Sequence, residues 1–124
     1  DFCLSRGLGD VYKRQTLDRA IGSFLENDRS PARKLGQIDN RGSHYWLARY
    51  WAEEIARQDE APELAARFGD IATELAARES QILDELNGVQ GEPVDLGGYY
   101  DVDDDLATEA MRPSATFNAL IEAL

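Results

Sequence analysis

The chain has 124 residues, a formal charge of −11, 13 basic against 24 acidic side chains, and one cysteine. A chain this acidic offers no broad basic face to a polyanion, which argues against nucleic acid or an anionic membrane surface as a partner. No run is long and apolar enough for a bilayer-spanning helix, a single cysteine cannot form an internal disulfide, and the length fits one domain or part of one, so a cytoplasmic protein is expected.

In chain order, the first fifteen residues stand apart. The chain does not begin with Met, and its only Met is Met111. The stretch SRGLGDVYKRQ, Ser5 to Gln15, resembles the in-frame translation of a transposase-based sequencing-library adapter. Residues 1–15 are therefore expected to be foreign to the fold and disordered, with the native chain truncated upstream of Thr16. They hold three basic and two acidic residues, so setting them aside moves the charge from −11 to −12. They also hold the sole cysteine, Cys3, which leaves no thiolate nucleophile or thiolate metal ligand in the remainder.

From Thr16 the pattern is helical. Thr16 is placed to cap a helix running to Glu26, with Leu17, Ala20, Ile21, Phe24 and Leu25 on one apolar face and Asn27–Asp28 ending it. Leu35 to Ile38 is expected to be briefly extended, and Asp39 to Gly42 to turn. Ser43 is an expected N-cap for a second helix to about Gln58. Tyr45, Trp46, Leu47, Ala48, Tyr50, Trp51, Ala52, Ile55 and Ala56 cover most of its circumference, and Arg49, Glu53 and Arg57 form a polar stripe. A helix apolar almost all round needs protein on most sides. After the turn at Asp59–Pro62, Leu64, Phe68, Ile71, Leu75, Ile82 and Leu86 recur along a long helix, interrupted around Arg78 and Glu79. It should pair with the preceding helix as an antiparallel hairpin, with Glu74, Arg78, Glu79 and Glu85 outside and Gly88 at its end. Between Val89 and Asp105, Pro93, Gly91, Gly97 and Gly98 break helical pattern, and Val94, Leu96, Tyr99 and Tyr100 are candidates to cross the core as extended chain. Asp103 is an expected cap for a short helix through Met111, and Ser114 or Thr116 for a last one with Phe117, Leu120, Ile121 and Leu124 inward. The fold class is mainly α, with about four to five helices and one irregular cationic loop.

That loop is the only stretch that carries candidate chemistry. Arg29, Arg33, Lys34 and Arg41 gather four positive charges against one nearby acid, Asp39, with Gly36, Gly42, Ser30 and Ser43 among them. Mobile cations, small residues and a helix start suit an anion such as phosphate, because Arg presents a planar fork and a helix N-terminus presents free N–H groups. The alternative is a solvated loop whose arginines pair with surface carboxylates. The acids from Asp101 to Asp105 lack the spacing of a calcium loop and read as helix caps. His44 has no Ser, Cys or acid placed to complete a catalytic set and reads as a polar residue in a first helical turn. No catalytic or metal-ligating residue is assigned.

Four stretches are more specific than periodicity: SPARK, IDNRGSHYWLARYWA, LNGVQGEPVDLGGYY and MRPSATFNALIEAL. In this order and spacing they resemble the C-terminal segment of the monomeric type of NADP-dependent isocitrate dehydrogenase, over essentially all of residues 16–124. The last resembles the end of that family, so the C-terminus is expected to be nearly complete. The resemblance implies a two-domain α/β parent of the isocitrate/isopropylmalate dehydrogenase kind, with residues 16–124 in the smaller domain. It implies a monomeric enzyme of the tricarboxylic acid cycle that converts isocitrate and NADP to 2-oxoglutarate, CO2 and NADPH with Mg or Mn bound. Its metal ligands and catalytic residues would lie upstream of Thr16, so this segment alone is expected to be inactive. The segment is also implied to supply an Arg to the adenosine 2′-phosphate of NADP. Arg33 matches that role best and Arg29 next. The competing expectation is a free-standing helical module whose Arg-rich loop grips a phosphorylated ligand or an acidic partner.

Overall fold

Six segments of the chain satisfy their backbone hydrogen bonds as helices: α1 (Phe2–Glu26), α2 (Asn40–Arg57), α3 (Pro62–Ala77), α4 (Glu79–Asn87), α5 (Asp104–Met111) and α6 (Ala115–Glu122). The computed structural model describes residues 2–124, with side chains from residue 13 onward, so Asp1 and the Cys3 side chain lie outside the described residues. No strand occurs among the described residues, and the mainly α expectation holds with one helix more than foreseen.

The apolar periodicity explains the packing. Helix α2 lies against α1 on one side and α3 on the other and also touches α4, while α6 returns to α3 and α4. Tyr45, Trp46, Ala52, Ala72, Leu75, Ile82 and Leu86 form the buried core, with Phe24, Ile38, Tyr50, Phe68 and Phe117 packed around it. Burying a Leu, Ile or Phe side chain in this way contributes about 1.5–3 kcal/mol each. Tyr45 is central. Its ring meets Trp46 and Phe117 edge to face at 5.3 and 5.5 Å, and its hydroxyl donates to the Leu75 carbonyl at 2.7 Å. Burial pushes that phenol above its ordinary value.

The long helix expected after Pro62 is two helices. Arg78 leaves helical geometry at φ −105°, ψ 17°, at the interruption visible in the sequence. Across the break, Arg49 of α2 donates to Glu79 at 2.8 Å and to Glu53 at 3.2 Å, which ties the start of α4 to α2. Asp103 and Ser114 are the caps of α5 and α6, accepting from the Leu106 and Phe117 amides at 3.0 and 3.1 Å.

Several expectations are corrected. Thr16 is not a cap, because it lies inside α1 rather than at its start. The Thr16 hydroxyl instead donates to the Lys13 carbonyl at 3.0 Å and accepts from the Trp51 indole at 3.0 Å, burying a polar group between α1 and α2. The apolar face of α1 is narrower than its spacing suggests: Ala20 is buried, but Ile21 and Leu25 are exposed. Val94, Tyr99 and Tyr100 do not cross the core. They lie on an exposed loop, where the two tyrosine rings pack edge to face at 4.9 Å. Leu35 to Ile38 is a turn rather than extended chain, and Leu124 is exposed. Between α2, α3 and α6 runs an apolar groove of about 500 Å³, lined by Trp51, Ile55, Leu64, Phe68, Ile71 and Ile121 among others.

Candidate anion site in the cationic loop

Residues 27–39 connect α1 to α2, and each end is held by a specific device. At the end of α1, Asp28 adopts φ 57°, a left-handed conformation that Asp tolerates better than most residues. The Arg29 amide then folds back onto the Phe24 carbonyl at 3.1 Å, closing the helix with a six-residue turn. At the other end α2 starts at Asn40, three residues earlier than Ser43. Asp39 is the cap, and its Oδ1 accepts from the Gly42 amide at 3.0 Å. Ser43 is buried in the first turn, where its hydroxyl donates to the Arg29 carbonyl at 2.6 Å and pins the loop to the helix.

The four cations divide into two pairs with different surroundings. Arg41 is committed within the protein: Nε and Nη2 donate to Asp39 Oδ2 at 2.9 and 2.7 Å, and Nη1 donates to the Ala110 carbonyl at 3.0 Å. Burial works to raise the Asp39 carboxyl, but the Gly42 amide, the Arg41 guanidinium and the Gln90 amide outweigh it and hold the group below its ordinary value. Arg29 lies with its guanidinium carbon 3.7 Å from the centre of the Trp46 ring and donates from Nε to the Tyr50 hydroxyl at 3.4 Å. Stacking of this kind fixes the plane of an arginine while leaving its terminal nitrogens at the edge available.

Arg33 and Lys34 are exposed, and neither side chain has an ion pair or hydrogen bond among the described residues. They sit in a closed turn. The Ala32 amide donates to the Ile38 carbonyl at 2.8 Å, the Gln37 amide reaches the Lys34 carbonyl at 3.4 Å, and Gly36 takes φ 83°, a conformation that costs a side-chain-bearing residue. Gln90, from the stretch after α4, grips this turn. Its Oε1 accepts from the Gly36 amide at 2.8 Å, and its Nε2 donates to the Gln37 carbonyl at 2.8 Å and to Asn87 Oδ1 at 3.2 Å.

The arrangement corrects part of the sequence reading of this loop. Of the free N–H groups expected at the start of α2, that of Gly42 is already taken by the Asp39 carboxylate, and Ser43 and Arg41 are engaged internally. What faces solvent is Arg33 and Lys34, with the edge of Arg29 as the third positive group of the same loop. Two unneutralised cations in a chain of charge −11 fit a phosphate dianion by the chemistry of the donors. His44 is exposed, beside Arg41, Met111 and Arg112 along a groove of about 360 Å³. Asp103 to Asp105 serve the start of α5, and among the described residues no group of three His, Cys, Asp or Glu is placed to hold a metal ion. Sequence reasoning missed Gln90 and the capping role of Asp39. A side-chain amide three residues past a helix end, between Gly88 and Gly91, is a loop anchor by type, but its partners lie 53 to 54 residues away and no local pattern points to them.

Comparison with known proteins follows the same lines. The sequence model of the family described as monomeric isocitrate dehydrogenase matches residues 11–122. An NADP isocitrate dehydrogenase of Mycobacterium tuberculosis is 54% identical over 110 residues, covering 89% of this chain and 15% of the relative. One from Azotobacter vinelandii is 51% identical over 124 residues, 94% of this chain and 17% of the relative. One from a Psychrobacter species is 55% identical over 108 residues, 87% of this chain and 15% of the relative. The chain thus spans about one sixth of the length of these curated relatives.

Proposed function

The chain belongs to the monomeric isocitrate dehydrogenase family, and on that footing we propose that it is the C-terminal segment of an NADP-dependent isocitrate dehydrogenase, contributing to the site for the 2′-phosphate of NADP. The whole enzyme would take isocitrate as substrate, release 2-oxoglutarate and CO2, and work as a monomer, with residues 16–124 in its smaller domain and residues 1–15 of foreign origin. Bound NADP supplies the hydride acceptor and bound Mg or Mn a Lewis acid, and the ligands of that metal would lie in the rest of the enzyme. The part assigned to this chain is electrostatic. Arg33 offers a bidentate fork to the phosphate, Lys34 adds a point charge, and Arg29, held over the Trp46 ring, is the second candidate.

The observation that carries this reading is the division of the loop's cations. Arg41 is neutralised by Asp39, while Arg33 and Lys34 face solvent with no ion pair among the described residues. Adjacent cations on one closed turn, with the Arg29 guanidinium in the same loop, offer a phosphate several charged donors at once. A 2′-phosphate is also the one group that separates NADP from NAD, and an Arg fork is the usual device for reading it. In the full-length enzyme, Arg33→Ala should raise the KM for NADP by about tenfold or more, the loss of a charged hydrogen-bond pair, and leave the KM for isocitrate nearly unchanged. Steady-state kinetics in both substrates decides it, and an unchanged KM for NADP would sink the assignment.

A further inference from the structure

We propose that Gln90 is the positioning residue of this anion site: it sets the conformation of the turn that carries Arg33 and Lys34 without touching the phosphate itself. The inference rests on the reading of the loop as an NADP phosphate site and goes beyond it by assigning a role outside the loop.

Residues 32–38 form a single closed turn with an exposed Leu35, a left-handed Gly36 and no ion pair on either cation. Such a segment has many accessible conformations, and ordering it when a ligand binds subtracts directly from affinity. Its own backbone supplies only the Ala32–Ile38 bond and the long Gln37–Lys34 contact.

Gln90 supplies the rest. One amide group accepts from Gly36 N–H and donates to Gln37 C=O, so it holds two adjacent residues of the turn from opposite polarities. That two-point grip fixes orientation as well as distance, which a single bond does not. Its remaining donor goes to Asn87 Oδ1 at the end of α4, and its own amide N–H bonds to the Asn87 carbonyl at 3.2 Å. Helix α4 is anchored in turn by Ile82 and Leu86, both buried in the core. Gly91 takes φ 85°, and a Cβ there would meet the Leu35 side chain at 3.6 Å, so the chain after Gln90 also lies close along the turn. A continuous path thus runs from the core through α4 and Gln90 to the peptide two residues beyond Lys34.

The test uses the full-length enzyme with Gln90→Met, which keeps the length of the side chain and removes both polarities, beside Arg33→Ala. Gln90→Met should raise the KM for NADP roughly fivefold, the factor that corresponds to one net hydrogen bond, with kcat and the KM for isocitrate within about twofold of the parent. The inhibition constant of adenosine 2′-phosphate should rise by a similar factor and that of adenosine 5′-phosphate should not. If Arg33→Ala weakens NADP and Gln90→Met does not, the positioning role is wrong while the phosphate site stands. If neither does, the phosphate site itself fails and the role of Gln90 falls with it. If Gln90→Met lowers kcat or weakens isocitrate as much as NADP, the residue is merely structural and the proposal is overturned.

Discussion

The Glu85 carboxylate stands at the first turn of α6 and takes three hydrogen bonds there: from the Ser114 hydroxyl at 2.5 Å, the Thr116 hydroxyl at 2.8 Å and the Thr116 amide at 3.3 Å. An acid at a helix start meets both free donors and the positive end of the dipole. The Ser114 hydroxyl, more than any other group, holds Glu85 below its ordinary value of 4.5. A group whose folded value is depressed contributes stability above its unfolded value and loses it as pH falls through the folded one. Thermal unfolding of this chain should therefore show a decline in Tm below about pH 4.5 that is shallower in Glu85→Gln, and superimposable acid limbs would count against the linkage. The sequence was a poor guide to this residue. Helical spacing puts Glu85 with Glu74 and Arg78 on a charged outer face, and nothing local shows that the start of α6 returns to cover it.

At the scale of the helices, periodicity carried most of the fold. The apolar residues of α2 and α3 are in the core because their spacing leaves them no other place, and the helix ends at Glu26, Arg57 and Met111 follow from turn residues visible in the chain. What periodicity could not give were capping relations between helices. Asp39 displaced Ser43 as the cap of α2 because the Gly42 amide and Arg41 both reach its carboxylate, and Ser43 found the Arg29 carbonyl across the loop instead. The end of α3 shows the same thing. Leu75 lies in its last turn, where carbonyls run out of in-helix donors, and the buried Tyr45 hydroxyl answers one of them from α2. Tyr45→Phe keeps the ring packing and removes only that donor. It should cost this chain about 1–3 kcal/mol, the penalty of an unanswered buried carbonyl, measured as a lower urea midpoint with unchanged slope. The candidate site was legible to the same degree: its cations and their charge contrast are plain in the sequence, but which of them are free depended on Asp39, Trp46 and Ala110, and only Asp39 is a neighbour in the chain.

Over the whole molecule, helices that are consecutive in sequence are mostly the ones that pack together: α1 on α2 and α2 on α3. The apolar groove beside Trp51 and Phe68 is what this arrangement leaves uncovered in a chain that spans about one sixth of its relatives. Besides the touch of α2 on α4, helix α6 is the exception, since it comes back to α3 and α4, and the Ser114–Glu85 contact joins positions 29 residues apart. That exception bears on the order of events during assembly. Contacts between neighbours need only short loops to close and form early, whereas the return of α6 requires α3 and α4 to be in place already. A chain leaving the ribosome would add its helices in the order in which they can dock and finish with α6. Ser114→Ala should accordingly accelerate unfolding of this chain severalfold while leaving its folding rate almost unchanged, in stopped-flow measurements, because the bond it removes belongs to the last step. The final helix is then less a foundation of the fold than its latch, the first piece to lift when the molecule comes apart.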